Sequence, residues 1–382
     1  MAAFRSGERL SLNDVLLLGG TGYLGSHVLH ELIVRHDNRI FCFIRPGKGK
    51  SGEARLKETL HAYFGEDYAE LFGSRITVIE GDAADGTALG AFTAPSKDMT
   101  VINCAASVKH FARPGELEHA NIDSVRSLTD WCVRNGARLV HISTCSVAGE
   151  RKNGLPPESW RLDEHGLYAG QELENNRYVW SKFMAERTVY EAILERGLRA
   201  KVCRMANLAP RAADGEFQLN YTTNNFMNTI RAFETLGMIP FDSLSEPTEF
   251  SPIDCAARAV LSLASTPDDC VCFMLLNPHR PLMGDITRVL EEMGHPVRGV
   301  ENDKLAAALQ KALTDEKTME AVSCLAAYNT GDSGSGIGLE GCDGSYTARV
   351  LGRLGAAYAE TGSAYIRQFL SRLEQKGFFG EV

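Results

Sequence analysis

The chain has 382 residues, of which 44% are hydrophobic and 23% charged, enough for one large domain plus a smaller one. Its formal net charge of −9 argues against nucleic-acid binding, because phosphate contacts need a basic face. No apolar run approaches the roughly 18–20 residues of a membrane span, and Met1 to Asp14 lacks a signal-peptide core, so a cytoplasmic protein is expected. The ten cysteines show no CxxC pair or nearby histidine partners, so they read as buried reduced thiols, with no metal site expected.

The apolar run Val15–Leu18 predicts the first strand, and Tyr23–Arg35 predicts its helix. Between them lies Gly19-Gly20-Thr21-Gly22-Tyr23-Leu24-Gly25, with glycines at 19, 22 and 25 standing three apart. Gly19 permits a tight exit from the strand, Gly22 lets a pyrophosphate approach the backbone, and Gly25 lets helix and strand pack closely. The helix N-terminus, with Thr21, Tyr23 and Leu24 around it, then offers unpaired N–H groups to phosphate. Arg39–Ile44 reads as the second strand. An NAD enzyme would place an acidic residue about 20 positions past the glycines, where this chain has Arg45. A guanidinium suits a 2′-phosphate through bidentate, charge-assisted bonds, so NADPH is expected, with Lys48 and Lys50 adding charge.

Glu53–Phe64 predicts a helix and Ile76–Glu80 the third strand. Asp82, after Gly81 and beside Ala83, is placed to accept from an adenine amino group. Val101–Asn103 is the fourth strand. Asn103-Cys104-Ala105-Ala106 ends it with small residues, which leaves room for ribose and nicotinamide. His110 and Phe111 follow and are expected at the substrate entrance. Ile122–Arg134 predicts a helix, and Leu139–Ser143 the fifth strand, which closes on Ser143-Thr144. The polar stretch from Glu150 to Asn176 reads as loop with short helices. Tyr178–Arg196 is a long helix and Lys201–Arg204 a sixth strand. Strands alternating with helices predict an α/β fold with a parallel, doubly wound sheet of the Rossmann type.

After Pro210 the pattern loosens. Residues 211–250 read as an irregular polar and aromatic segment, Phe250–Ala264 regains apolar periodicity, and Cys270–Leu276 predicts a last strand. From Met283 the chain reads as mainly helical, with a Gly/Ser/Asp-rich loop over Thr330–Ser345 and one or two amphipathic helices over Arg349–Gly377. The expected division is a dinucleotide domain over 1–210, with a return segment near 251–281, and a smaller, mainly helical substrate lobe from 211–250 and 282–382. Ligands of such sheets sit at the carboxyl ends of the strands, so this lobe is expected to roof that crevice.

Tyr178 and Lys182 stand four residues apart on one predicted helix face. A phenol of pKa near 10 is a poor acid–base group at neutral pH, and a nearby ammonium is expected to lower that value. Thr144, at the end of strand five, is expected to hold a carbonyl oxygen as negative charge grows on it. YxxxK alone is weak. Following the glycine loop and Ser143-Thr144 in chain order, it predicts a nicotinamide reductase.

These residues resemble an extended short-chain dehydrogenase/reductase. The closer resemblance is to terminal thioester reductase domains of nonribosomal peptide synthetases, related to those of carboxylic acid and aminoadipate reductases. It rests on Val15–Gly25, Phe43-Ile44-Arg45-Pro46, Gly81-Asp82, Asn103–Ala106, His141–Val147, Tyr178–Lys182 with Ala185-Glu186, Arg204-Met205-Ala206-Asn207-Leu208, and the closing Gly377-Phe378-Phe379. The resemblance implies NADPH-dependent release of a carrier-bound acyl or peptidyl thioester as an aldehyde, sometimes onward to the alcohol, with a phosphopantetheinylated carrier as partner. It implies Thr144, Tyr178 and Lys182 as the catalytic three, and Asn207 among the cofactor contacts. It also implies that the chain is the excised end of a longer synthetase. Two departures stand out: Ala206 where a glycine is usual, and Ala148 where sugar-nucleotide epimerases commonly have Tyr. A free-standing acyl-CoA or acyl-carrier reductase, or an NADPH carbonyl reductase, would share every motif. A non-catalytic NADP sensor typically loses the Tyr/Lys pair that this chain keeps.

Overall fold

The computed structural model describes residues 12–47, 49–108, 113–149, 162–330 and 339–379. A seven-stranded parallel sheet lies in the first of two compact units, which takes in Met1–Leu208, Ile253–Leu276 and Ile337–Ala357. Its first six strands in chain order are β1 (Val15–Leu18), β2 (Ile40–Ile44), β3 (Ile76–Glu80), β4 (Thr100–Asn103), β5 (Arg138–Thr144) and β6 (Arg199–Met205). Across the sheet they run β6-β5-β4-β1-β2-β3, and Cys272–Leu275 adds a parallel edge strand beside β6. Helices α1 (Tyr23–Arg35), α2 (Gly52–Phe64), α3 (Thr87–Ala91), α4 (Ser124–Asn135) and α5 (Arg177–Arg196) are the crossovers.

β1 and β4 are buried along their whole length, which is why β1 reads as an unbroken apolar run rather than an alternating one. Leu16, Val101, Leu139 and Val202 join Val125, Leu128 and Trp131 of α4 and Ala185 and Val189 of α5 in one core cluster. Arg75 closes the far end of α1, donating to the carbonyls of Leu32 at 2.7 Å and Ile33 at 2.9 Å. No described helix is long and apolar enough to cross a membrane.

The second unit takes in Ala209–Pro252, Asn277–Gly336 and Tyr358–Val382. The 211–250 stretch, expected to be irregular, contains a helix over Asn225–Leu236 and a strand over Met238–Pro240 that pairs with Arg298–Val300. Asn224 caps that helix, accepting from Met227 N at 3.0 Å, and Gly237 ends it at φ 62°. Two helices, Ser345–Leu354 and Ser363–Gln375, occupy the C-terminal region read as one or two. The first of them lies in Ile337–Ala357 and so departs from the expected lobe over 282–382. Thr347 explains the difference, because its Oγ1 accepts from Met274 N at 2.9 Å and donates to Glu164 at 2.7 Å within the first unit.

Candidate active site

The glycine loop leaves β1 through Gly19 at φ 81°, and Gly22 N donates to Gly19 O at 2.9 Å to close the turn. A Cβ on Gly19 would stand 2.7 Å from Ala105 N, and one on Gly25 only 2.1 Å from Gly19 O. Side chains are therefore excluded at both positions. α1 begins at Gly22 with no side chain capping it, so its first-turn N–H groups and positive dipole end are available to an anion. An open cradle and an uncapped thirteen-residue helix fit a dinucleotide pyrophosphate.

Asn103 ends β4, and its Oδ1 accepts from Ala105 N at 3.1 Å, which shapes the small-residue turn beside Gly19. Asp82 holds the turn after β3, accepting from Ala84 N at 3.0 Å. Arg45 lies exposed at the end of β2, and its carbonyl accepts from Arg55 of α2 at 2.6 Å. That brings a second guanidinium to the same corner, one the sequence reading missed. Lys50 pairs with Glu58 at 2.7 Å, so its charge is already answered. Lys48, His110 and Phe111 lie outside the described residues.

Thr144 ends β5 and caps the turn after it. Its Oγ1 accepts from Ser146 N at 3.1 Å and donates to Ser146 Oγ at 2.9 Å. The half-buried Tyr178 shares a hydrogen bond with Thr144. Lys182, one turn further along α5, is buried and donates from Nζ to Ile142 O at 2.7 Å. The structure thus brings Thr144, Tyr178 and Lys182 together at the carboxyl end of β5.

The electrostatics differ from the expectation. Burial pushes the Tyr178 phenol up to about 12, and the Thr144 hydrogen bond only partly opposes it. Burial also lowers the Lys182 ammonium to about 8, opposed chiefly by Glu186, which favours its charge. Lys182 is directed at the β5 backbone, and desolvation decides the phenol's state. At neutral pH Tyr178 therefore holds its proton and can give it.

Asn121 also escaped the sequence reading. It sits in a π-helical turn, Glu118–Asp123, ahead of α4. Its Nδ2 donates to Ser107 O at 3.0 Å and Ser181 Oγ at 2.9 Å, while its Oδ1 accepts from Ser107 N at 2.7 Å. Ser181 Oγ in turn donates to Tyr178 O at 2.7 Å. Asn121 therefore fastens the strand-four turn to the helix that carries Tyr178. The one available signal was a polar Asn just ahead of an apolar helical pattern, which is common in any sequence.

A doubly wound parallel sheet, a glycine cradle and a Tyr–Lys helix define a dinucleotide-dependent oxidoreductase of the extended short-chain dehydrogenase/reductase class. A family described as Male sterility protein, a group of NAD-binding domains, matches residues 17–260. A thiolation-reductase di-domain from an archaeal non-ribosomal peptide synthetase superposes with a TM-score of 0.88 at 33% identity, covering 98% of this chain and 77% of that one. A linear gramicidin synthase polypeptide of Brevibacillus parabrevis is 27% identical over 90% of this chain. Isonitrile lipopeptide synthase of Streptomyces coeruleorubidus is 30% identical over 74% of it. The chain spans only 7% and 19% of those two proteins' lengths. The chain belongs to this NAD(P)-binding family, among the reductase domains of nonribosomal peptide synthetases.

Proposed function

We propose that the chain reduces an acyl or peptidyl thioester, carried on a phosphopantetheine arm, to the aldehyde at the expense of NADPH. The observation that carries this reading is the hydrogen-bonded Thr144–Tyr178 pair at the end of β5, one helical turn from buried Lys182. In this reading Gly19, Thr21, Gly22, Tyr23, Leu24 and Gly25 hold the pyrophosphate. Asp82 and Ala83 hold the adenine, and Asn103, Ala105, Lys182 and Asn207 the nicotinamide end. A reduced nicotinamide bound there supplies the hydride.

The remaining work falls to side chains. Thr144 Oγ1, turning its hydrogen from Ser146 Oγ, and Tyr178 Oη both donate to the acyl oxygen as it takes on negative charge, and they bind that oxyanion more tightly than the neutral carbonyl. Collapse of the oxyanion breaks the C–S bond and expels the pantetheine thiolate. Tyr178, protonated at neutral pH, gives its proton to the departing or newly formed anion. The second unit, with 211–250 and the C-terminal helix, is the part proposed to receive the carrier.

Arg45 and Arg55 together suit a 2′-phosphate. Arg45→Ala is expected to raise the Michaelis constant for NADPH about ten- to hundredfold while leaving that for NADH nearly unchanged, since a charge-assisted contact contributes about 1.5–3 kcal/mol. Arg55→Ala should act in the same direction. Initial rates with both cofactors check this, and equal use of the two by the native protein would refute it.

The deciding experiment for the reaction is mass spectrometry of the products formed from an acyl-loaded carrier domain and NADPH. Aldehyde is expected, at a higher kcat/KM than from the same acyl group on coenzyme A. The carrier adds binding energy remote from the reacting carbon. If free coenzyme A thioesters react equally well, the chain is a free-standing acyl-CoA reductase instead.

A further inference from the structure

We infer that the buried Arg204–Glu186 pair positions the catalytic helix, with Glu186 as the counter-charge that keeps the Lys182 side chain an ammonium and Arg204 as the anchor of that carboxylate. The inference rests on the reading of Lys182 as catalytic.

Both side chains of the pair are 0% exposed. Arg204 stands on β6 in register with Ser143 of β5. Its Nε lies 3.2 and 3.1 Å from the two Glu186 oxygens, and its Nη2 donates to Oε2 at 2.9 Å. Its other donors reach the 163–166 segment, with Nη1 bonded to Asp163 O at 2.9 Å and Nη2 to Gly166 O at 2.7 Å. One residue thus ties β6, α5 and that segment together. Stability alone is a poor reason for such a pair, because replacing a buried ion pair with apolar groups is often neutral or better.

Glu186 follows Lys182 by four residues, so the two share a face of α5, and both are buried. Among the described residues, the other ionisable groups that face Lys182 supply no negative charge. Tyr178, one turn earlier on α5, keeps its proton. Burial pushes the Cys104 thiol, just past β4, up to about 12. Burial, and then Lys182 itself, hold His141 of β5 well below its ordinary value, so it is neutral. Beside Glu186, burial raises Tyr190 and takes Cys272 up to about 11, so both keep their protons. Glu186 remains as the carboxylate facing the ammonium, and the Arg204 guanidinium holds it in place through three contacts. Without it, burial would act on Lys182 unopposed by any carboxylate.

The test is the pH profile of single-turnover aldehyde reduction by NADPH-saturated protein. The native alkaline limb is expected near the Lys182 value of about 8. Glu186→Gln should move that limb down by about one to two pH units, the size of one partly screened charge at helical spacing. Glu186→Asp keeps the charge and should move it much less. Below the shifted limb NADPH affinity should not change, because Lys182 is still an ammonium there and the glycine cradle is untouched. A folded, NADPH-binding Glu186→Gln with an unmoved limb overturns the inference.

Should Glu186→Gln fail to fold, the double variant Glu186→Gln with Arg204→Met removes both buried charges and should move the limb in the same direction by less, because the Arg204 cation goes with the carboxylate; an unmoved limb in a folded, NADPH-binding double variant overturns the inference. Lys182→Met separates the catalytic role from the counter-charge. If it retains the native rate, the catalytic reading of Lys182 fails. If it is inactive while the Glu186→Gln limb stays in place, only the counter-charge fails.

Discussion

Tyr178→Phe is expected to lower the single-turnover rate on an aldehyde by about 10²–10⁴, the range for losing a general acid, and to leave NADPH binding and the fold intact. The ring stays, so the packing on α5 stays. What goes is the hydroxyl bonded to Thr144. The loss on a thioester should be smaller, nearer the roughly 10²–10³ of a missing oxyanion donor, because a thiolate leaves with little help from a proton. An alkoxide formed from an aldehyde must be protonated, and the phenol of about 12 is a strong enough acid to do it. The comparison is NADPH oxidation by native and variant protein on both substrates. Unchanged rates on both would make Tyr178 a packed aromatic and dissolve the active-site assignment.

The first unit was legible in the sequence because its central strands are buried and appear as short, mainly apolar runs between helices. Val15–Leu18, Ile76–Glu80 and Tyr23–Arg35 match their predicted bounds. The helix over Asn225–Leu236 was equally readable and was missed. Asn224 before it, Gly237 after it and Met227, Ile230 and Phe233 within it form a capped, amphipathic pattern that the polar neighbours obscured. The segment over 337–357 was misplaced for another reason. Its attachment depends on Thr347 meeting Met274 and Glu164, partners 73 and 183 residues away, and no local pattern carries that.

Within the site, spacing revealed the residues but not their environment. Four residues along a helix set Tyr178 and Lys182 on one face, as read. The direction of the phenol's shift came out reversed, because it depends on how much water the fold excludes. Arg55 and the Arg204–Glu186 contact join residues only 10 and 18 positions apart, but across a strand and a helix, a meeting that no local periodicity shows.

Gly25→Ala should cost the protein its dinucleotide. The added Cβ would stand 2.1 Å from Gly19 O and 2.6 Å from Gly19 C, and both are backbone atoms that no rotamer change can move aside. α1 must therefore shift away from β1, or the loop must open. In either case the uncapped N–H groups after Gly22 no longer converge on one anion. Losing two charge-assisted hydrogen bonds of about 1.5–3 kcal/mol each weakens NADPH by roughly 10²–10⁴ in Kd. The seven strands keep their hydrophobic core, so the circular dichroism of the variant should stay close to native. Fluorescence titration with NADPH measures the affinity directly. Gly90→Ala serves as the control, because a Cβ there meets nothing within 4 Å. If Gly25→Ala bound NADPH as tightly as Gly90→Ala, the loop would be an ordinary strand–helix turn, and the cofactor would have to be held elsewhere.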